Sequence, residues 1–292
     1  MTRTGSAREA VRPATVVLRA IDEATARLAG AGVASPRRDA EELAAYVVGI
    51  SRGRLALIDS LADDFAHRYA ELVAARSRRI PLQHLIGTAA FGPVTLQVGP
   101  GVFVPRPETE ALLEWAVRRR LGPSPVIVDL CTGSGALAVA LARRLPAARV
   151  VAVDDSADAL HYARRNSAGT AIDVREGDVT DPALFADLDG SVDLVVANPP
   201  YLPDAADVEP EVAQHDPPAA LFGGPDGMAV IEPIVALGAR WLKPGGLLAV
   251  EHDDTASEAT KALLRARFDE IVGHTDFAGR PRFVTARRRT AR

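Results

Sequence analysis

From Glu108 onward the chain alternates short apolar runs with longer segments of helical spacing, and this alternation limits its possible folds more than any other feature. "PVIVDL", "ARVVAVD", "AIDVREGD", "VDLVVANPP" and "GGLLAVEH" are short and mostly rich in β-branched residues. "ETEALLEWAVRRRL", "GALAVALARRLP", "SADALHYARRNSAG" and "GMAVIEPIVALGARWL" instead repeat apolar residues every three or four positions. Strands and helices in alternation build a parallel, doubly wound α/β sheet covered on both faces. Such sheets take ligands beyond the carboxyl ends of their strands. The last two strand-like runs, in "FDEIVGHTD" and "RPRFVTARR", have no helix between them. They are expected as an antiparallel pair at the sheet edge.

The region before this is different. Val17, Leu18, Ile21, Ala24 and Leu28 recur at helical spacing, and Gly30 and Gly32 end the run. "SPRRDAEELAAYVVG" offers Ser35 as an N-cap and Pro36 at the first helical position. "DDFAHRYAELVAARSRR" opens with acids and closes with arginines, as the helix dipole favours. These helices are expected to pack as a small bundle. "FGPVTLQVGPGVFVPRP" alternates apolar and polar residues between Gly and Pro. The expected division is a helical domain over 1–88, a hairpin or extended linker over 89–107, and the sheet domain over 108–292.

Composition narrows the class. No apolar run reaches the ~18 residues of a membrane span. The opening "MTRTGSAREAVRPATVVLRA" lacks a signal-type apolar stretch, so a cytoplasmic protein with no membrane partner is expected. Cys131 is the one cysteine, which excludes an internal disulfide and a multi-cysteine metal site; no metal is expected. The net charge of −4 gives no global pull toward a polyanion, and stable nucleic-acid binding is not expected.

"VIVDLCTGSGALAVALA" has the pattern of strand, tight turn and helix. Gly133 and Gly135 flank Ser134, and glycine lets the backbone turn sharply and a ligand approach the main chain. Ala138 stands where a dinucleotide fingerprint has its third glycine. Asp129 ends the strand before the turn. Asp154 closes the next strand about 20 residues beyond it, where a carboxylate can accept from ribose hydroxyls. The third strand ends in Asp178. Three carboxylates around one pocket repel a pyrophosphate and suit a cation such as S-adenosylmethionine. A dinucleotide, or a turn with no nucleotide at all, stays open on these residues.

At the end of the fourth strand stands "NPPY", Asn198 to Tyr201. Proline pushes the residue before it toward extended geometry, and Pro199 and Pro200 remove two backbone donors. The Asn198 side-chain oxygen and the Pro199 carbonyl remain as acceptors suited to an –NH2 group. Tyr201 adds a flat surface for a planar group. Two acceptors on its hydrogens can orient a conjugated amine and favour its electron-rich, pyramidal form. Attack on a methyl group then needs positioning and electrostatics, and no strong base. Asn198, Pro199 and Tyr201 are the expected catalytic residues.

With these motifs in order, the chain resembles the class I S-adenosylmethionine-dependent methyltransferases. Within them it is similar to the protein-(glutamine-N5) methyltransferases of peptide chain release factors, the PrmC/HemK group. "PLQHLIG", "VGPGVFVPRPETE", "VDLCTGSGALAVALA", "VDLVVANPPYLP" and "LFGGPDGM" carry the resemblance over nearly the whole length. It implies a Rossmann-like methyltransferase sheet with an N-terminal substrate-recognition bundle, and S-adenosylmethionine as methyl donor. It implies that Cys131, Thr132, Gly133, Ser134 and Gly135 wrap the methionine part, that Asp154 binds the ribose, and that Asp178 and Val179 border the adenine. Asn198 would also touch the cofactor. Asn198, Pro199, Pro200 and Tyr201 would hold the glutamine of a release factor's Gly-Gly-Gln loop. Many members of the group have glycine at the position of Cys131, and some have an aromatic at that of Val179.

N-P-P-Y also occurs in adenine-N6 methyltransferases of nucleic acids, which is the competing reading; a non-catalytic binding module is a third. His252 is expected to be structural, Arg106 and Glu108 to anchor the linker, and "ARRRTAR" to be a solvated end. The loop around 214–227 is a candidate substrate cover.

Overall fold

A computed structural model describes residues 12–290. The segment 1–11, part of the opening considered for a signal, and residues 291–292 of the arginine-rich tail lie outside the described residues. The chain divides into two compact units, 1–86 and 87–292.

The first unit is helical. Helix α1 spans Pro13–Gly30, α2 Pro36–Val48, α3 Phe65–Ser77 and α4 Leu82–Ile86. Val17, Ile21, Ala24 and Leu28 form the buried stripe of α1. Leu18, one position off that stripe, is 38% exposed, so its apolar character does not mark the core face. Gly32 at φ +73° turns the chain after α1, and Gly49 at φ +78° ends α2. Pro36 takes the first turn of α2, but Ser35 makes no side-chain cap bond. The unit's core gathers the α1 stripe with Leu43, Phe65, Tyr69 and Val73. Inside it, Arg76 Nε donates to Asp39 Oδ2 at 2.7 Å, and Arg76 Nη1 donates to the Ile80 carbonyl at 2.9 Å.

The second unit begins with a hairpin, β1 Thr88–Phe91 and β2 Val94–Gln97, followed by α5 Glu110–Val117. The main sheet then alternates with helices. It runs β3 Val126–Leu130, α6 Ala136–Arg144, β4 Arg149–Asp154, α7 Ala157–Asn166, β5 Asp173–Glu176 and β6 Val192–Ala197. It continues with α8 Pro210–His215, α9 Ile231–Trp241, β7 Leu242–Glu251, α10 Ser257–Leu264, β8 Phe268–Thr275 and β9 Pro281–Arg288. The strand order is β5-β4-β3-β6-β7-β9-β8. Strands β3 to β7 are parallel, and β9 runs antiparallel to both β7 and β8.

Side-chain alternation in the central strands produces two cores. Val128, Leu130, Val151, Val153, Val195 and Val250 enter one with α9. Ile127, Val150, Ala152, Leu194, Val196 and Ala249 enter the other with α5 and α6. Consecutive strand residues therefore face opposite layers, which is why these runs are apolar without alternation.

Of residues 89–107, expected as a hairpin or linker, the part up to Gln97 forms a hairpin, and the whole stretch lies in the second unit. Phe91 and Leu96 are buried in the α5–α6 core. Asn166 accepts from the Gln97 N–H at 2.7 Å and donates to the Gln97 carbonyl at 2.9 Å. A short stretch between Gly and Pro carries too few apolar residues to disclose that it packs against a sheet. The arginine-rich tail also departs from expectation: most of its described part is strand. Arg287 pairs with Glu270 and Arg289 with Asp269, each at 2.9 Å.

The helical unit offers a direct test. Asp39→Ala removes the carboxylate that accepts from Arg76 Nε. It is expected to destabilise this unit by about 3 kcal/mol, seen as an earlier helical melting transition by circular dichroism. An unchanged melt would show that the pair carries no net stability.

Candidate active site

The chain runs outward from β3 to β4 and β5, then crosses back to β6 on the other side of β3. Loops leaving β3 and β6 diverge to opposite faces at this point, and a crevice opens between them. A cavity of about 330 Å³ lies there, the size of a small-molecule site.

The turn after β3 forms one wall. Cys131, Gly133 and Gly135 all have positive φ, +55°, +57° and +85°. For Cys131 this left-handed backbone costs about 1 kcal/mol relative to glycine. A Cβ built on Gly133 would meet no protein atom within 4 Å, so the space before it belongs to the cavity. Cys131, Thr132, Gly133 and Ser134 all line it, but Gly135 does not. Gly135 instead supplies the left-handed residue that opens α6, packed close to Ala163 of α7.

Asp129 is 1% exposed. Its Oδ2 accepts from the Thr132 hydroxyl at 2.6 Å and the Ala138 N–H at 3.0 Å. Its Oδ1 is buried with no partner among the described residues. Burial pushes its pKa up to about 7, against the pull of those two bonds. Asp154 closes β4 and accepts from the Gly133 and Ser156 N–H groups at 2.8 and 3.0 Å. Burial raises its pKa as well. Asp178 is exposed, and its carboxyl is held by the Thr180 N–H and hydroxyl, which lower its pKa. Val179 is buried beside it on the wall.

Asn198 and Pro200 form the opposite wall. Pro199 is buried and Tyr201 half-buried, and neither lines the cavity. Tyr201 lies toward β9, where Arg282 Nη1 donates to its hydroxyl at 3.4 Å. Burial and the nearby Glu251 carboxyl push the tyrosine pKa up to about 12.

Two contributors escaped the sequence reading: the segment before α5 and Glu251. The segment from Gly101 to Arg106, with Thr109, walls the cavity. Arg106 pairs with Asp216, tying that segment to the 214–227 loop, whose Pro217 and Phe222 also reach the cavity. Glu251, the last residue of β7, is 1% exposed, and burial pushes its pKa up to about 8. The "PRPETE" motif could have flagged Thr109, but nothing local distinguishes Glu251. His252 is fully buried and off the cavity wall, its Nδ1 2.7 Å from the Asp253 carbonyl. Burial lowers its pKa, and it is out of place for a general base. Among the described residues no His, Cys, Asp and Glu group could hold a metal ion, and no helix is long and apolar enough to cross a membrane.

Known proteins resemble this chain in sequence. The PrmC N-terminal domain model matches residues 19–87, and the methyltransferase small domain model matches 95–215. A release factor glutamine methyltransferase of Mycobacterium leprae is 61% identical, over 93% of this chain and 96% of its own. One from Mycolicibacterium smegmatis is 62% identical, over 92% and 96%. The chain belongs to the release factor glutamine methyltransferase family. A methyltransferase crystal structure from Pyrococcus furiosus, 16% identical, matches with a TM-score of 0.52 over 74% of this chain and all of that one, which shows the shared fold.

Membership of a methyltransferase family implies S-adenosylmethionine as methyl donor. The cavity fits it. The carboxyl-bearing Asp129 and Asp154 on its wall suit a cationic group, and the glycine turn leaves the main chain open to contact.

Glu251 makes stability depend on pH in a stated direction. Its folded pKa of about 8 lies above its ordinary 4.5, so the folded state keeps a proton that the unfolded chain loses. Stability from this group is lost as pH rises between those values. Glu251→Gln cannot ionise, so its Tm is expected to fall less than that of the parent between pH 5 and 8. Parallel Tm curves would show that Glu251 does not titrate in this range; Asp129 contributes equally to both proteins.

Proposed function

We propose that this protein transfers a methyl group from S-adenosylmethionine to the side-chain amide nitrogen, N5, of the glutamine in the Gly-Gly-Gln motif of peptide chain release factors. The observation that carries the reading is Asn198, held at the end of β6 on the wall of a carboxylate-bearing cavity. Relatives above 60% identity that bear this activity in their names support it.

S-adenosylmethionine supplies an electrophilic methyl on a sulfonium. Cys131 to Ser134 are the residues proposed to hold its methionine part, with Gly135 shaping the turn. Asp154 would take the ribose, and Asp178 and Val179 the adenine edge. Asn198 Oδ1 and the Pro199 carbonyl accept the two amide hydrogens of the substrate. Pro200 and Tyr201 complete its seat. The accepted bonds draw the nitrogen out of conjugation and localise its electron pair. The methylated nitrogen then sheds its extra proton to water, so no side chain must act as a strong base.

Asn198→Ala is expected to lower kcat by roughly 10²–10³, the scale of one oriented electrostatic contact, with cofactor Kd nearly unchanged. The assay incubates the protein with labelled S-adenosylmethionine and either a release factor, duplex DNA or RNA, then maps the label by mass spectrometry. Label on adenine in nucleic acid, with none on glutamine, would overturn the proposal.

The helical region over 1–88 is proposed to recognise the protein substrate. A single side-chain amide offers few contacts for choosing one glutamine among many, and this unit has a core of its own. A chain beginning at Gly87 is expected to bind S-adenosylmethionine yet lose most of its kcat/KM on an intact release factor. On a short Gly-Gly-Gln peptide the two chains should be similarly poor. Equal kcat/KM on the intact factor would assign the helices to stability instead.

A further inference from the structure

The two ends of the Asn198 amide have nearly the same shape, yet only one accepts a hydrogen bond. The proposed chemistry needs Oδ1, and not Nδ2, to face the substrate. A half-turn about the last side-chain bond exchanges the two with little steric change. The fold must therefore supply something that tells them apart.

Thr109 stands in the right place to do so. It ends the tight turn Pro107–Thr109 just before α5, is 4% exposed, and lines the same cavity. Its Oγ1 accepts from Asn198 Nδ2 at 3.2 Å. Close by stands the buried carboxyl of Glu251 at the end of β7, whose Oε1 has no partner among the described residues and is an acceptor open to the Thr109 hydrogen. A hydroxyl that gives its single hydrogen to a carboxyl has only lone pairs left for other neighbours. Lone pairs attract Nδ2 and repel Oδ1. Asn198 Oδ1 accepts no hydrogen bond among the described residues and so is left for a ligand.

Resting on the function proposed above, the geometry points to Thr109 as a positioning residue. It selects the orientation of the Asn198 amide, and Glu251 keeps the Thr109 hydrogen turned away from that amide. The substrate then meets an acceptor set before it arrives, and no binding energy goes into turning the side chain.

Thr109→Val keeps the shape and removes the oxygen. Nδ2 would then face a methyl group as a buried, unpaired donor, and the amide turns over. The expected loss in kcat on the release factor is ~10-fold, the scale of one such unpaired group. Cofactor Kd by calorimetry should stay close to that of the parent. Thr109→Ser keeps the oxygen and should return kcat to within about 3-fold, on the same physical ground. Single-turnover counting of labelled methyl extends the comparison to Asn198→Ala, where adding Thr109→Val should cost nothing further, because Thr109 acts through Asn198. If the valine variant does not fold, Thr109→Ala removes the same oxygen and should show the same pattern. The inference is overturned by a valine variant with parental kcat, by a serine variant as impaired as valine, or by a loss that adds in full to that of Asn198→Ala. Failure of the underlying function looks different: the parent protein itself would then place no label on the release factor's glutamine.

Discussion

The site depends on one topological fact. Strands β3 and β6 lie side by side, and the chain leaves their carboxyl ends toward opposite faces of the sheet. Backbone that continued straight from either strand would fill the space between them. The β3 end escapes through three residues of positive φ, and the β6 end through two consecutive prolines. Both devices stop the strand ladder within a residue or two. What remains is a crevice walled by main chain on one side and by Asn198 on the other.

Polar groups buried around that crevice carry its chemistry at a cost in stability. Asp129 and Glu251 are each 1% exposed, and burial raises both pKa values. A fold selected for stability alone would fill those positions with apolar side chains. Asp129 recovers part of the cost by anchoring Thr132 and the start of α6, which sets the glycine turn. Glu251 recovers part of it from the positive charge of the nearby Arg282, while its Oε1 has no partner among the described residues. Through Thr109, a carboxyl at the end of β7 reaches the amide at the end of β6. The low dielectric that makes these groups costly also makes their orientation persist.

The loops that complete the cavity come from segments of weak pattern. The hairpin and the chain to Arg106 are tied to the sheet domain by Phe91, Leu96 and the Asn166 bridge to Gln97. The 214–227 loop is tied by Asp216 to Arg106. Each tie joins residues far apart in the chain, so the cavity forms only when the whole domain is folded.

The strand–helix alternation, the antiparallel edge pair, the glycine turn and the Asn-Pro-Pro-Tyr strand end could all be read from the chain. These are short-range signals: periodicity, β-branched runs and the restricted φ of Gly and Pro act within a few residues of themselves. The same local reading could not separate Leu18 from the buried stripe beside it and treated 89–107 as a possible linker. It spread the ligand-facing role evenly over the turn, although Gly135 packs against α7 instead. It passed over Glu251, whose significance comes from Thr109 and Arg282. The sequence by itself determined which elements form and which residue types stand at the strand ends. Tertiary structure decided which of those groups face the cavity, which are buried without water and which hydrogen bond orients the amide. Burial and long-range pairing are properties of neighbours in space, and the order of residues along the chain does not contain them in readable form.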